Sequence, residues 1–94
     1  MKVNKSKAEE LGKFFKINFK IVDFKEWQDG LNIELEHGKQ LGQITNITND
    51  NLKMTAKIAI AHLLEDTKYY FYLKKMEEKR DKFWKNKNKP SIFL

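Results

Sequence analysis

Cysteine is missing from this 94-residue sequence, which excludes a disulfide framework, a thiolate zinc site and a cysteine nucleophile. Proline occurs once and glycine four times, too few for collagenous, turn-rich or propeller architectures. No stretch approaches the roughly 18 apolar residues of a membrane-spanning helix, and the charged start Met1 to Lys7 is not followed by a sustained apolar run. The expectation is an intracellular protein in a reducing compartment, with no membrane span. Arginine is scarce as well. Eighteen of the nineteen cations are Lys, a hydrated point charge without the fork by which Arg reads guanine or phosphate, and this speaks against a sequence-specific DNA reader.

What is present is apolar material for one core. Seven Phe, three Tyr and two Trp accompany the aliphatic residues, and a chain of this length buries about 60 to 65% of its unfolded surface. The net charge of +6 is unevenly placed. Residues 1–20 carry six Lys against Glu9 and Glu10, residues 21–78 carry seven Lys against ten acids, and Lys79, Arg80, Lys82, Lys85, Lys87 and Lys89 oppose only Asp81. The middle is mildly acidic and both ends are basic. The abundance of Lys, Asn and Ile matches the amino-acid bias of an AT-rich genome.

The periodicity predicts an all-α fold, a compact bundle of about four helices with a basic C-terminal extension. Ser6-Lys7-Ala8-Glu9 has the form of a capping box that opens a short helix with Ala8, Leu11 and Phe15 on its apolar side. Ile17 to Ile21 alternates and reads as an extended connector or a lone edge strand. Asp23 to Glu26 repeats the capping-box pattern. Phe24, Trp27, Leu31 and Leu35 then share one helical face that runs to Gly38, a candidate C′ residue. The alternation of Leu31, Ile33 and Leu35 leaves a strand as the alternative. Lys39 to Asn51 is the longest loop, with Thr48, Asn49 or Asp50 as the next cap. A third helix follows with Leu52, Ala56, Ala59, Ile60 and Leu63 inward, widened by Ile58 and Leu64. After a break at Asp66-Thr67, a fourth carries Tyr69, Tyr72, Leu73, Met76 and Phe83 on one face. Tyr69 is expected to pack inward and Tyr70 to reach sideways. Residues 1–85 form one domain on this reading, and residues 86–94 are a tail in which Pro90 stops any helix and Ile92-Phe93-Leu94 is an apolar tag.

Both histidines have a glutamate one turn away, Glu34 to His37 in one helix and His62 to Glu65 in the next. Glu34 lies about 20° and His37 about 80° from Trp27 around the second helix. Antiparallel packing of the two helices brings two carboxylates and two imidazoles together. Such a set admits three readings: a hydrogen-bonded clamp, a site for one divalent transition metal (zinc, iron or manganese), or metal-free acid/base catalysis. Thr45, Asn46 and Thr48, together with Tyr70, form a candidate polar cluster, either a small-molecule site above a helix N-terminus or a set of helix caps. The basic run Lys79, Arg80, Lys82, Lys85, Lys87 and Lys89, with Trp84, is a candidate contact surface for nucleic acid, bound without sequence preference, or for an acidic protein.

The strings Gly30 to Gly38 (Gly-Leu-Asn-Ile-Glu-Leu-Glu-His-Gly), Thr45 to Asp50, Lys57 to Glu65 with its His-Leu-x-Glu, and Tyr69-Tyr70 resemble a small domain family of unknown function found in bacteria, phages and large DNA viruses. The resemblance spans roughly residues 8 to 78. It departs from the family where Thr67-Lys68 stands in place of Pro-Asp and Asn51 in place of an acidic residue. It implies a compact helical fold and no established activity. Taken together, these features read as a non-enzymatic binding or structural accessory protein, virus- or phage-encoded and packaged in or assembled on a particle, that engages an acidic partner through its basic termini. The alternative is a metal-binding, hydrolytic helical domain built on Glu34, His37, His62 and Glu65.

Overall fold

A computed structural model describes residues 1–93, and Leu94, the end of the apolar tag, lies outside the described residues. The described residues form four helices: α1 (Lys5–Phe14), α2 (Phe24–Glu34), α3 (Leu52–Glu65) and α4 (Tyr69–Trp84). Two single 3-10 turns, Leu35–His37 and Lys39–Leu41, follow α2, and no strand occurs among the described residues. No helix among them is long and apolar enough to cross a membrane.

Helix α1 begins earlier than its capping box predicts. Asn4, not Ser6, is the N-cap, and its side chain accepts the Lys7 N–H at 2.8 Å, because Asn is as good an acceptor as Ser and stands two residues upstream. Residues 17–21 are not a strand. The Asn18 side chain takes the Lys20 N–H at 3.0 Å and its carbonyl takes the N–H groups of Ile21 and Val22, so local turn bonding wins over alternation.

Helix α2 is the hub. Trp27, Leu31 and Leu35 are buried as the spacing predicts, and Ala8, Leu11, Ala56, Ala59, Leu63 and Tyr70 close around them. The Trp27 indole N–H donates to the Ala8 carbonyl at 2.9 Å and ties α1 to this hub. Asp23 caps α2 through the Lys25 N–H. The α-helical part stops at Glu34, and Gly38 is not left-handed (φ −94°). What demands glycine there is space, since a Cβ would collide with the Asp50 carboxylate. Gly30 has a similar role, because its missing Cβ makes room for the Tyr70 ring.

The cap of α3 is Asn51, which accepts from Met54 N–H at 3.0 Å. Thr48, Asn49 and Asp50 do not cap it. Asn49 and Asp50 both have positive φ, and Asp50 instead accepts the Lys39 N–H at 2.9 Å. On α3 the inward face is Thr55, Ala56, Ala59 and Leu63, while Leu64 is 83% exposed rather than inward. Helix α4 buries only Tyr70. Tyr72, Met76 and Phe83, expected on its inner face, are exposed, because the globule ends after about two turns of this helix and the rest runs beyond it.

Candidate functional site

The end of α2, the last turn of α3 and the start of α4 meet at Glu34, whose carboxylate is almost wholly buried. One oxygen, Oε1, faces His37 Nε2 at 3.1 Å, because the 3-10 turn after α2 carries His37 one turn beyond Glu34. The other, Oε2, accepts the Tyr70 hydroxyl at 2.5 Å and stands 3.6 Å from His62 Nε2. His62 Nδ1 lies 3.4 Å from Glu65 Oε2. The four side chains anticipated from the two His/Glu spacings do come together, in the order His37, Glu34, His62, Glu65, with Glu34 as the buried member.

The tyrosines exchange the places expected of them. Tyr70 is fully buried and points its hydroxyl at Glu34, while Tyr69 stacks on the His62 imidazole with ring centroids 4.2 Å apart and planes 11° from parallel. Burial, followed by the hydrogen bond to Glu34, pushes the Tyr70 phenol far above its ordinary range. The phenol is therefore a fixed proton donor, and it supplies one of the bonds that a buried carboxylate requires. His37 Nε2 lies at ion-pair distance from Glu34 Oε1. Both oxygens of Glu34 thus face polar partners, and no group of three or more His, Asp or Glu side chains is set to hold a metal ion among the described residues. The chemistry of this donor set is that of a polar knot joining three helices.

The second anticipated cluster does not assemble. Tyr70 belongs to the Glu34 knot, whereas Thr45 and Asn46 bond within their own loop, to the Gly42 carbonyl and the Asn49 N–H. Thr48 is buried and its backbone N–H donates to the His37 carbonyl at 3.0 Å, but its hydroxyl has no hydrogen-bond partner.

The basic run occupies the outer end of α4 and the turn after it. Lys79, Arg80, Lys82, Lys85, Lys87 and Lys89 are all exposed, and Trp84 is half-buried. The rings at this end are held by their own cations: Lys87 Nζ lies 3.7 Å and Arg80 Cζ 4.3 Å from the Phe83 centroid, and Arg80 is 5.9 Å from Trp84.

Two features were not anticipated from the sequence. Glu26, read as half of a capping box, is buried and accepts the backbone N–H groups of Tyr70 at 2.6 Å and Phe71 at 3.1 Å, so it caps α4 from α2. Beside it Lys25 and Lys74 converge on Asp29 Oδ2 at 2.8 and 2.6 Å. Burial pushes the Asp29 carboxyl up, but the two ammonium groups outweigh it and hold the carboxyl below its usual value. These residues line a cleft of about 440 Å³ between the starts of α2 and α4. The sequence carried no signal for this, since Glu26 already had a local role in the capping-box pattern and nothing local shows a partner more than forty residues away.

No curated protein and no solved structure matches the chain. Residues 8–79 match the family described as Protein of unknown function (DUF5661), a span nearly identical to that of the resembling motifs and one that contains the whole Glu34 knot while stopping where the basic run begins. The chain belongs to this family of small domains of unknown function.

Proposed function

We propose that this protein is a non-enzymatic nucleic-acid-binding accessory, in which a compact three-helix body anchors α4 and the basic outer part of α4 meets the phosphate backbone. One observation carries this reading: every residue from Lys75 to Phe83 is exposed, so a helical segment with no core to cover is kept in a chain otherwise compact. A helix of this kind costs conformational entropy without returning apolar burial, and it carries Lys75, Lys79, Arg80 and Lys82 out from the body toward Lys85, Lys87 and Lys89. Lys in place of Arg supplies point charges for the phosphate backbone without the fork that reads bases. The Glu34 knot is then architectural, fixing the inner end of α4 so that the outer end projects. The Lys, Asn and Ile bias supports a virus- or phage-encoded setting.

The test is binding of a labelled oligonucleotide followed by fluorescence anisotropy across a salt series. The expected result is micromolar affinity at low salt that weakens steeply toward physiological salt, and its loss when the chain is truncated after Glu78. Full binding by the truncated chain removes the arm from the account.

A further inference from the structure

Helix α4 has a second periodicity that the basic run at its end conceals. Taken at about 100° per residue, Phe71, Tyr72, Lys75, Lys79 and Lys82 fall within a band about 100° wide, and Lys68 at the cap position continues it. All six are exposed. Glu77 and Asp81 lie on the opposite side, toward the angular positions of Tyr70 and Leu73, and Glu78 stands at the edge of the band. Four of the six cations from Lys68 to Lys82 thus share one face of the helix with Phe71 and Tyr72, while two of the three acids lie away from it and Glu78 borders it. From Lys68 to Lys82 this face runs about 21 Å.

Its inner end opens into the cleft, which is lined by both Lys68 and Phe71. The carboxylates there already have partners: Glu26 holds two α4 amides, Asp29 holds two ammonium groups, and Asp23 caps α2. Lys68 makes no ion pair among the described residues. An anion entering the cleft therefore meets an available cation beside an apolar wall of Phe71 and Ile21.

The rings along α4 differ in what covers them. Phe83 has two cations over it, Lys87 and Arg80. Phe71 is 48% exposed, has Lys75 Nζ at 4.8 Å from its centroid and Tyr72 edge-on at 5.1 Å. Phe71, with one cation over it, and Tyr72, with no cation over it among the described residues, are covered less than Phe83, and a base that displaces Lys75 from the Phe71 ring leaves that ammonium beside the adjoining phosphate. Base-on-ring stacking flanked by Lys is the sequence-tolerant chemistry of single-strand binding, since a paired duplex keeps its base faces covered.

We infer that the ligand of the α4 face is single-stranded nucleic acid, tracked by Lys68, Lys75, Lys79 and Lys82, with Phe71 stacking a base at the mouth of the cleft. This rests on the nucleic-acid reading above and names the strand form and the contact residue. The experiment compares a poly-dT oligonucleotide with a duplex of equal length, using the full chain, Phe71→Ala, Phe71→Leu and Phe83→Ala. Because Phe71 is half exposed and its backbone amide is what Glu26 holds, the variants should melt as the wild type does, which circular dichroism checks. The expected result is tighter binding of the single strand, weakened about 5- to 100-fold by Phe71→Ala and by Phe71→Leu. Phe83→Ala should change it less than about threefold, and duplex binding should be indifferent to Phe71. Equal or tighter duplex binding overturns the inference, as does equal competition by polyglutamate at matched charge. If Phe71 variants bind the single strand normally while truncation after Glu78 abolishes binding, the stacking inference falls and the phosphate reading stands.

Discussion

Glu26 Oε2 on α2 accepts the backbone N–H of Tyr70 at 2.6 Å, and so the first turn of α4 is capped by a side chain from another helix. Lys68, at the N-cap position, supplies no side-chain bond of its own. The first amides of a helix need acceptors, and a carboxylate there also faces the positive end of the helix dipole. Glu26 meets both needs from inside the core, while Glu34 receives the Tyr70 hydroxyl at the other end of the same residue. One tyrosine is thus held at backbone and side chain by two carboxylates of α2, and its ring lies against Gly30 between them. This sets the direction in which α4 leaves the body.

Replacing Glu26 should loosen α4 at its root. Glu26→Ala leaves the Tyr70 and Phe71 amides without their acceptor and should cost about 2 to 3 kcal/mol, with Glu26→Gln costing about 1 to 2 kcal/mol because it keeps one acceptor oxygen. Urea unfolding followed by circular dichroism gives both numbers. An Ala variant within about 0.5 kcal/mol of wild type would contradict the capping role.

Tyr70→Phe keeps the ring against Gly30 and removes only the donor to Glu34. The expected loss is about 1.5 to 3 kcal/mol, the range for a hydrogen bond to a charged group. The same residue governs the alkaline limb. Its folded phenol lies far above the ordinary value because of burial and then the bond to Glu34, so its contribution is complete below about pH 10 and declines as pH rises further, where the unfolded tyrosine ionises and the folded one does not. Absorbance titration, with Tyr70→Phe as the reference, should show the Tyr70 phenol ionising only on unfolding. Its reversible ionisation before unfolding would refute the assignment.

The sequence made the helices and the histidine pairs legible for one reason: both are local. Trp27, Leu31 and Leu35 announce their shared face by spacing, and Glu34-His37 and His62-Glu65 announce theirs by one-turn separation. Their convergence follows once α2 and α3 pack. Glu26, Asp29 and the swap of Tyr69 with Tyr70 were not legible, because each depends on how α4 docks. At 100° per residue either tyrosine can face inward. The choice is made by Gly30, whose open side admits the Tyr70 ring. Likewise Asn4 could not be ranked above Ser6 as a cap without the Val3 anchor: Asn32 accepts the Val3 N–H at 2.7 Å and donates to its carbonyl at 3.0 Å, and this fixes the chain just before α1.

Acid sensitivity should trace in part to Asp29. Its folded carboxyl is held below its usual value by Lys25 and Lys74 against the opposing effect of burial, so the stabilisation is complete above about pH 4 and is lost as pH falls through the folded value. Both lysines are substantially exposed, and the contribution is expected to stay below about 1 kcal/mol. Asp29→Asn should therefore lower the neutral plateau of a stability-against-pH curve by up to about 1 kcal/mol and leave its acid end nearly unchanged, so that the acid limb is flatter. An unaltered acid limb would show that the pair of lysines does not act through Asp29.

Chelation should leave the body untouched. Glu34 presents both oxygens to His37, Tyr70 and His62, so the expected melting temperature is the same within about 1 °C after treatment with a chelator and after addition of zinc or manganese. A rise of several degrees with stoichiometric metal, abolished by His62→Ala, would instead establish a metal centre at Glu34.

The central claim, that α4 carries a track for nucleic acid, is most directly tested by the salt dependence of single-strand binding in the wild type and in a Lys75→Gln/Lys79→Gln variant. Each neutralised phosphate contributes about −0.7 to the slope of log K against log salt on a single strand, so Lys68, Lys75, Lys79 and Lys82 predict a wild-type slope of at least about −3, reduced by about 1.4 in the variant. A slope near zero, or one the double substitution leaves unchanged, would contradict the account.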